Sequence, residues 1–275
     1  NHAGGRPVAL TGDTAQLLGK ALDLCAMTDG ALDLTAYSAV EAWGFTGGDY
    51  RVPAQSELDA LAAKINYTRV KLDRDSGQAS LPDGMELDLG AVAKGWAGDI
   101  LSQLVRDTDG VDGALLNLGQ STIQTVGAKA DGSAWRIGIQ DPQGEGTALA
   151  ELKRDASAES AAQSAADQPD YLGVLELNDQ AMSTSGGYQR YFEEDGVRYH
   201  HLIDPATLWP AAYFDGVSVL APDSGVADCL TTGLFCLPLE EGRQLVESLD
   251  GVEALWCTTD GQIVKSSGWD EKANG

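Results

Sequence analysis

"GVSVLAPDSGVADCLTTGLFCL", residues 216–237, decides the fold class, because it delivers a strand straight into the strongest helix of the chain. "GVSVLAP" is a short apolar run closed by proline, the pattern of a strand. From Ser224 to Leu237 apolar residues recur at helical spacing. Upstream, "YLGVLEL", "AMSTSGG", "YQRYFEE" and "VRYHHLID" read as successive strands. Downstream, the helix "LEEGRQLVESL" is followed by strands near 253–257 and 262–265. Strands in runs with helices interspersed predict an α+β fold, not a regular βαβ winding.

The N-terminal half keeps that mixture. Segment 13–27, "DTAQLLGKALDLCAM", is helical in spacing, with Asp13 or Thr14 as its N-cap. Residues 31–45 read as a turn, a helix and a glycine-containing loop, and "SELDALAAKI" (56–65) as a short helix opened by a capping serine. "VKLD" and "ASL", around 70–81, predict a hairpin, as do "GALLNLG" and "TIQTVG" (113–127). "WRIGIQDP" (135–142) is a further strand. "LDLGAVAKGWAGDILSQLV" (87–105) runs from a strand through a glycine turn into a helix. "RDASAESAAQSAADQ" (154–168) is polar and rich in Ala and Ser, and residues 153–169 are expected to form a surface insertion, since β-rich sequence continues on both sides. No repeat of fixed period is present. A single domain over 1–275 is the expectation.

Charge narrows the function. The chain has 42 acidic and 18 basic residues, a formal net charge of −24. Such a surface repels nucleic acid and anionic lipid. A polyanionic ligand then binds only through a metal ion, helix N-termini or a few placed basic residues. No run of ~18 apolar residues exists, so nothing is expected to span a membrane. The start, "NHAGGRPVAL", lacks the basic and apolar regions of a signal peptide, as a mature form would. Cys25, Cys229, Cys236 and Cys257 form no CxxC pair, and buried thiols are expected.

Four stretches could carry chemistry. In "LDLGAVAKG", Asp88 precedes the Gly90 turn, and Lys94 lies one turn into the helix. This is either an anion site or a packed turn with a surface lysine. In "VADCLTTGLF", Asp228 and Thr232 share a helix face. Hard oxygen ligands of this kind suit Mg²⁺ or Ca²⁺, while a helix N-terminal charge and a back-bonded hydroxyl are the alternative. "STSGGYQRYF" (183–192) places Ser185-Gly186-Gly187 at a tight turn, either a plain hairpin or a close approach to a flat ligand. In "RYHHLIDP", a strand would turn His200 and His201 to opposite faces, leaving at most one for a given pocket. A serine-hydrolase reading lacks its GxSxG elbow.

The order of these blocks is more specific than any one of them. "GALDLTAYSAVEAWGF", "ELDLGAVAKGWAGD", "LLNLG", "STSGGYQRYFEEDGVRYHHLIDPAT" and "GVSVLAPDSGVADCLTTGLF" together resemble the FAD:protein FMN transferase (ApbE) family, from about residue 10 onward. The resemblance implies an α+β, T-fold-like domain of mixed and antiparallel sheets flanked by helices, with the family's N-terminal strands missing from this chain. It implies an Mg²⁺-dependent enzyme, with Ca²⁺ the alternative metal, that cleaves FAD. FMN passes to a threonine or serine of a target flavoprotein and AMP is released. Competing expectations are an FAD pyrophosphatase and a flavin-binding protein without turnover.

Carried over by position, His201 matches the base that deprotonates the acceptor hydroxyl. Asp88 and Lys94 match FAD contacts, and Trp43, Gly44 and Phe45 match a loop along the flavin nucleotide. Ser185, Gly186 and Leu202 match the isoalloxazine side. Ala91 matches a backbone metal ligand, and Asp228 with Thr232 the side-chain ligands. "LNLGQST" stands where the family has Gly-Gly-Asp after its "LNLG", "TAYSAVEAWGF" lacks a proline common in its block, and "DPATLWP" carries Leu208-Trp209 where Gly-aromatic or Gly-Lys is common. The family resemblance also implies an extracytoplasmic location, with a cytoplasmic one as the alternative, and a membrane link only through a lipid anchor outside this chain.

Overall fold

The computed structural model describes residues 1–144 and 171–273. Its first half contains β1 (Val8–Ala9), α1 (Gly12–Met27), α2 (Tyr37–Ala42), α3 (Gln55–Ala62), β2 (Lys71–Asp73), β3 (Gln78–Ser80) and α4 (Gly90–Arg106). Strands β4 (Gly113–Leu118), β5 (Thr122–Gly127), β6 (Trp135–Gln140), β7 (Tyr171–Leu177) and β8 (Ala181–Gly186) follow. The hairpin β9 (Tyr191–Glu194) and β10 (Val197–His200) leads to β11 (Phe214–Ala221) and α5 (Ser224–Cys236). The chain closes with α6 (Leu239–Glu247), β12 (Glu253–Thr258), β13 (Ile263–Lys265) and α7 (Trp269–Ala273).

The 216–237 stretch sits at the centre, as β11 and α5. Six strands form one sheet in the order β13-β12-β11-β8-β5-β4, and every pairing among the described strands is antiparallel. Successive strand residues face opposite ways. Val217, Val219 and Ala221 therefore pack on Ala227, Leu230 and Leu234 of α5. Leu220 joins Met182 and Leu255 on the other face, under Ile137, Ile139, Leu175 and Leu177 of the β6–β7 ribbon and Trp269 of α7. Burial on both faces explains why the strand reads as an almost continuous apolar run. The mixed helix and antiparallel-sheet class expected from the sequence is the one observed.

Local chemistry moved several boundaries. Thr11, not Asp13 or Thr14, caps α1 by accepting the Thr14 N–H. Helix α3 starts at Gln55 after Ala54, so Ser56 lies inside it and caps nothing. Residues 87–89 form no strand, and α4 begins directly at Gly90. Ser185 and Gly186 are still within β8, paired with Val217 and Gly216, so the turn comes later than expected. The expected insertion at 153–169 lies outside the described residues.

Helix α4 crosses α5 at very short range, and glycine permits it. A Cβ on Gly95 would overlap the Ser224 carbonyl and lie 2.8 Å from the Asp228 Cβ. One on Gly98 would overlap Ser224 Oγ. Polar bonds lock the approach: Ser224 Oγ donates to the Gly95 carbonyl (2.8 Å), and the Gly225 N–H donates to Asp99 Oδ1 (3.0 Å). Lys20 of α1 donates to Asp99 and Asp223, at 2.6 and 2.9 Å. Desolvation alone would lower the Lys20 pKa, but these two carboxylates outweigh it and hold the ammonium above its usual range.

Gly95→Ala is therefore expected to lower stability by about 1–3 kcal/mol through overpacking, seen as a lower urea midpoint. Gly12→Ala, with open space around the new methyl, should leave the midpoint unchanged or raise stability by about 0.4–1 kcal/mol.

Candidate active site

Asp228 lies on the α5 face that meets α4, and it is 4% exposed. A carboxylate so deep needs charge and hydrogen-bond partners. Its Oδ2 accepts the Gly95 N–H at 2.9 Å. Its Oδ1 accepts the hydroxyls of Thr122 (2.9 Å) and Ser183 (3.4 Å), which lie opposite each other on β5 and β8. Lys94 Nζ lies 3.2 Å from the same oxygen. Thr122 and Ser183 escaped the sequence reading, because nothing local links them to a residue 106 and 45 positions away. Thr122 closes the "LNLGQST" stretch that leads out of β4.

Around this carboxylate opens a cleft of about 300 Å³. Asp88, Gly90, Ala91 and Lys94 line it from the start of α4, and Asp228 and Thr232 from α5. Ser185, Arg190, His201 and Leu202 line the side formed by β8 and the β9–β10 hairpin. The Asp88 turn and the Asp228–Thr232 pair, 140 residues apart in sequence, thus share one cavity. Asp88 Oδ1 accepts the Gly90 N–H (3.0 Å), so this exposed carboxylate occupies part of the helix start. It can accept from hydroxyl or ring N–H groups, and it repels phosphate. Ser185 Oγ is spent on Thr231 Oγ1, at 2.9 Å.

The donor set fits a divalent cation that brings other ligands with it. Asp228 already draws an ammonium to Oδ1. The Thr232 hydroxyl, one turn on and in the same cleft, has no hydrogen-bond partner among the described residues. No group of three or more His, Cys, Asp or Glu among the described residues could enclose a metal by itself. Hard oxygens in such small number suit Mg²⁺, which keeps waters and substrate phosphates in its shell.

The two histidines part company. His200 Nε2 donates to the Ala211 carbonyl (2.9 Å), its Nδ1 accepts the Leu202 N–H (3.3 Å), and the ring stands edge-on to Phe235. Both nitrogens are satisfied, and the residue lines a different cavity, of about 600 Å³. That cavity is larger, but Asp88, Lys94, Asp228 and Thr232 are not on its walls. His201 lines the smaller cleft. Its Nδ1 faces the Arg190 carbonyl at 3.1 Å. A carbonyl only accepts, so Nδ1 carries the proton and Nε2 keeps its lone pair. Desolvation, ahead of the cationic neighbours, pushes its pKa down to about 4. Near neutral pH the ring is an uncharged base.

Four expected residues are placed elsewhere. Trp43, Gly44, Phe45 and Gly186 are not on the cleft wall. Trp43 and Phe45 are fully buried in an aromatic cluster with Phe192, Tyr199 and Trp209 beneath the hairpin. Gly44, at φ 82°, makes the turn that no side chain would fit, because a Cβ would overlap the Asp49 carbonyl. Gly186 leaves room for the Tyr188 ring. Phe45 still reaches the site indirectly: its ring is 6.3 Å from that of His201 and 5.8 Å from the Arg190 guanidinium. The four cysteines are free and buried, as expected. Burial raises the thiol pKa of Cys25 and Cys257 to about 12, so none of the four is poised as a thiolate.

The model of the ApbE family matches residues 1–256. An FAD:protein FMN transferase of Klebsiella pneumoniae is 34% identical over 272 residues, covering 97% of this chain and 76% of that protein. The ApbE protein of Thermotoga maritima superposes with a TM-score of 0.84 at 28% identity, over 99% of this chain and 82% of that one. The apo flavinyl transferase ApbE of Pseudomonas stutzeri gives 0.78 at 27% identity, over 98% and 78%.

The imidazole of His201 should titrate near pH 4 in the ligand-free protein, against about 6.5 for an unperturbed histidine. NMR titration of the ring carbons checks this. A midpoint at or above 6.5 would show that the ring is solvated.

Proposed function

Since this chain belongs to the ApbE family, we propose that it is a metal-dependent FAD:protein FMN transferase. It cleaves the FAD pyrophosphate and leaves FMN on a serine or threonine of a target flavoprotein. The single observation that carries this reading is the shared cleft: one wall holds a cation-attracting Asp228–Thr232 pair, the other a neutral histidine with a free lone pair. The extracytoplasmic location implied by the resemblance belongs to the same proposal.

Ala91, Asp228 and Thr232 would hold the divalent ion. When bound, it supplies neutralisation of the pyrophosphate charge and a template for in-line displacement. The protein does the rest. Gly95, Thr122 and Ser183 donate to Asp228 and hold it in orientation. Lys94 adds positive charge beside it. His201 Nε2 takes the proton of the acceptor hydroxyl as that oxygen bonds to the FMN phosphorus. The bond from this phosphorus to the bridging oxygen breaks, and AMP leaves with the electron pair. Positioned proton transfer of this kind is worth roughly 10²–10⁴ in rate. In the ligand-free cleft His201 is a weak base, but an anionic phosphate opposite the ring favours the protonated form and strengthens it.

Incubation with FAD, Mg²⁺ and a flavoprotein bearing an exposed acceptor hydroxyl should give a covalent, fluorescent protein band with one AMP per flavin. Free FMN with no such band would make the protein a pyrophosphatase and end the transferase reading. Asp228→Asn should abolish the metal-dependent step. His201→Gly should lower kcat by about 10²–10⁴ and leave FAD affinity in place.

The pH profile has a definite sign. As pH falls, kcat/KM should hold until His201 of the free enzyme protonates near about 4. The acid limb of kcat should lie at higher pH, because bound phosphate raises the same pKa.

A further inference from the structure

Arg190 has no assigned task, yet its surroundings are unusual for this protein. Of the nine described arginines of this acidic chain, Arg51, Arg74, Arg106, Arg198 and Arg243 are within ion-pair distance of a carboxylate, and Arg6 and Arg69 donate to backbone carbonyls. Among the described residues, the Arg190 guanidinium has neither a carboxylate partner nor a hydrogen bond to protein. It lies over the Phe45 ring, 5.8 Å from the centroid, on the cleft wall. Phe45 is buried under Tyr50 and Phe192, so this platform is rigid.

The backbone of the same residue holds the base. The Arg190 carbonyl accepts the His201 backbone N–H at 3.1 Å and the His201 Nδ1–H at 3.1 Å. Guanidinium and imidazole are therefore tied to one point of the chain and rest on one ring. Across the cleft, Lys94 is engaged with Asp228. Two positive centres thus serve two places: Lys94 and the metal ligands on the α4–α5 side, and Arg190 on the histidine side.

We propose that Arg190 is the binding residue for the flavin-side phosphate, the one whose phosphorus is attacked, and that it stabilises the charge on its non-bridging oxygens during transfer. Geometry selects this phosphate over the adenosine-side one. The attacked phosphorus must lie within one hydroxyl of His201 Nε2, and the Arg190 guanidinium, without a carboxylate partner among the described residues, rests by the same Phe45 ring as that imidazole. A guanidinium presents a planar fork that matches two phosphate oxygens. The assignment rests on the transferase reading, in which His201 serves the phosphorus that is attacked.

The test measures FMN and AMP affinity and FAD turnover, all in Mg²⁺, for the wild type, Arg190→Gln and Arg190→Lys. Arg190 is exposed, so its replacement leaves the core untouched, and circular dichroism checks the fold. Arg190→Gln should weaken FMN about ten- to hundredfold, as expected for loss of a charge-assisted bond, and leave AMP unchanged. Its kcat should fall about 10²–10³-fold with a smaller change in KM. Arg190→Lys should recover part of kcat. Selective loss of FMN supports the assignment even if the wild type only hydrolyses FAD. Equal loss of FMN and AMP, or no loss of either, overturns it.

Discussion

The structure depends on one buried contact, the Gly95 amide of α4 donating to the Asp228 carboxylate of α5 at 2.9 Å. It is short only because Gly95 has no side chain, and a methyl there would overlap Ser224. The contact brings the start of α4, with Ala91 and Lys94, against Asp228 and Thr232 of α5. It also gives a deep carboxylate one of the donors it needs, since leaving such a group unpaired costs several kcal/mol, on the order of 3–5. Thr122 and Ser183 on the neighbouring strands supply further donors. The central sheet, the two helices and the site are therefore a single construction.

An acidic protein that handles a diphosphate faces an electrostatic problem, and the cleft answers it locally. The surface at large repels polyanions. Within the cleft, Asp228 attracts a cation, Lys94 stands beside it, and Arg190 lines the wall with no carboxylate partner among the described residues. The Asp88 carboxylate at the rim repels phosphate and accepts hydrogen bonds, so it favours the polar, uncharged parts of a nucleotide. Charge of both signs in one small cavity orients a ligand that is anionic in the middle and neutral at its ends.

The adjacent histidines show how neighbours divide labour. Each ring gives one N–H to a backbone carbonyl, but through different nitrogens. His200 bonds through Nε2 and has its remaining nitrogen filled by the Leu202 amide, which makes it part of the scaffold. His201 bonds through Nδ1 and keeps Nε2 open. Burial holds both below the ordinary histidine pKa. The partner atom, not the residue type, separates the ring held at both nitrogens from the one with an open nitrogen.

Much of this was legible before any coordinates. Two-residue and 3.6-residue periodicities are local, so β11, α5, the β2–β3 and β4–β5 hairpins and the α+β class could be read from the chain, and so could five ordered blocks of a known family. The cap of α1 shifted by two or three residues, because the Thr11 hydroxyl accepts the Thr14 amide and starts the helix ahead of Asp13 and Thr14. What the sequence could not decide was which residues share a cavity. The places of Thr122, Ser183 and Arg190, and the retreat of Trp43 and Phe45 into an aromatic core, follow from contacts spanning tens to more than a hundred residues. Pattern is encoded by neighbours along the chain. Proximity across the cleft is settled only when the helices close on a glycine.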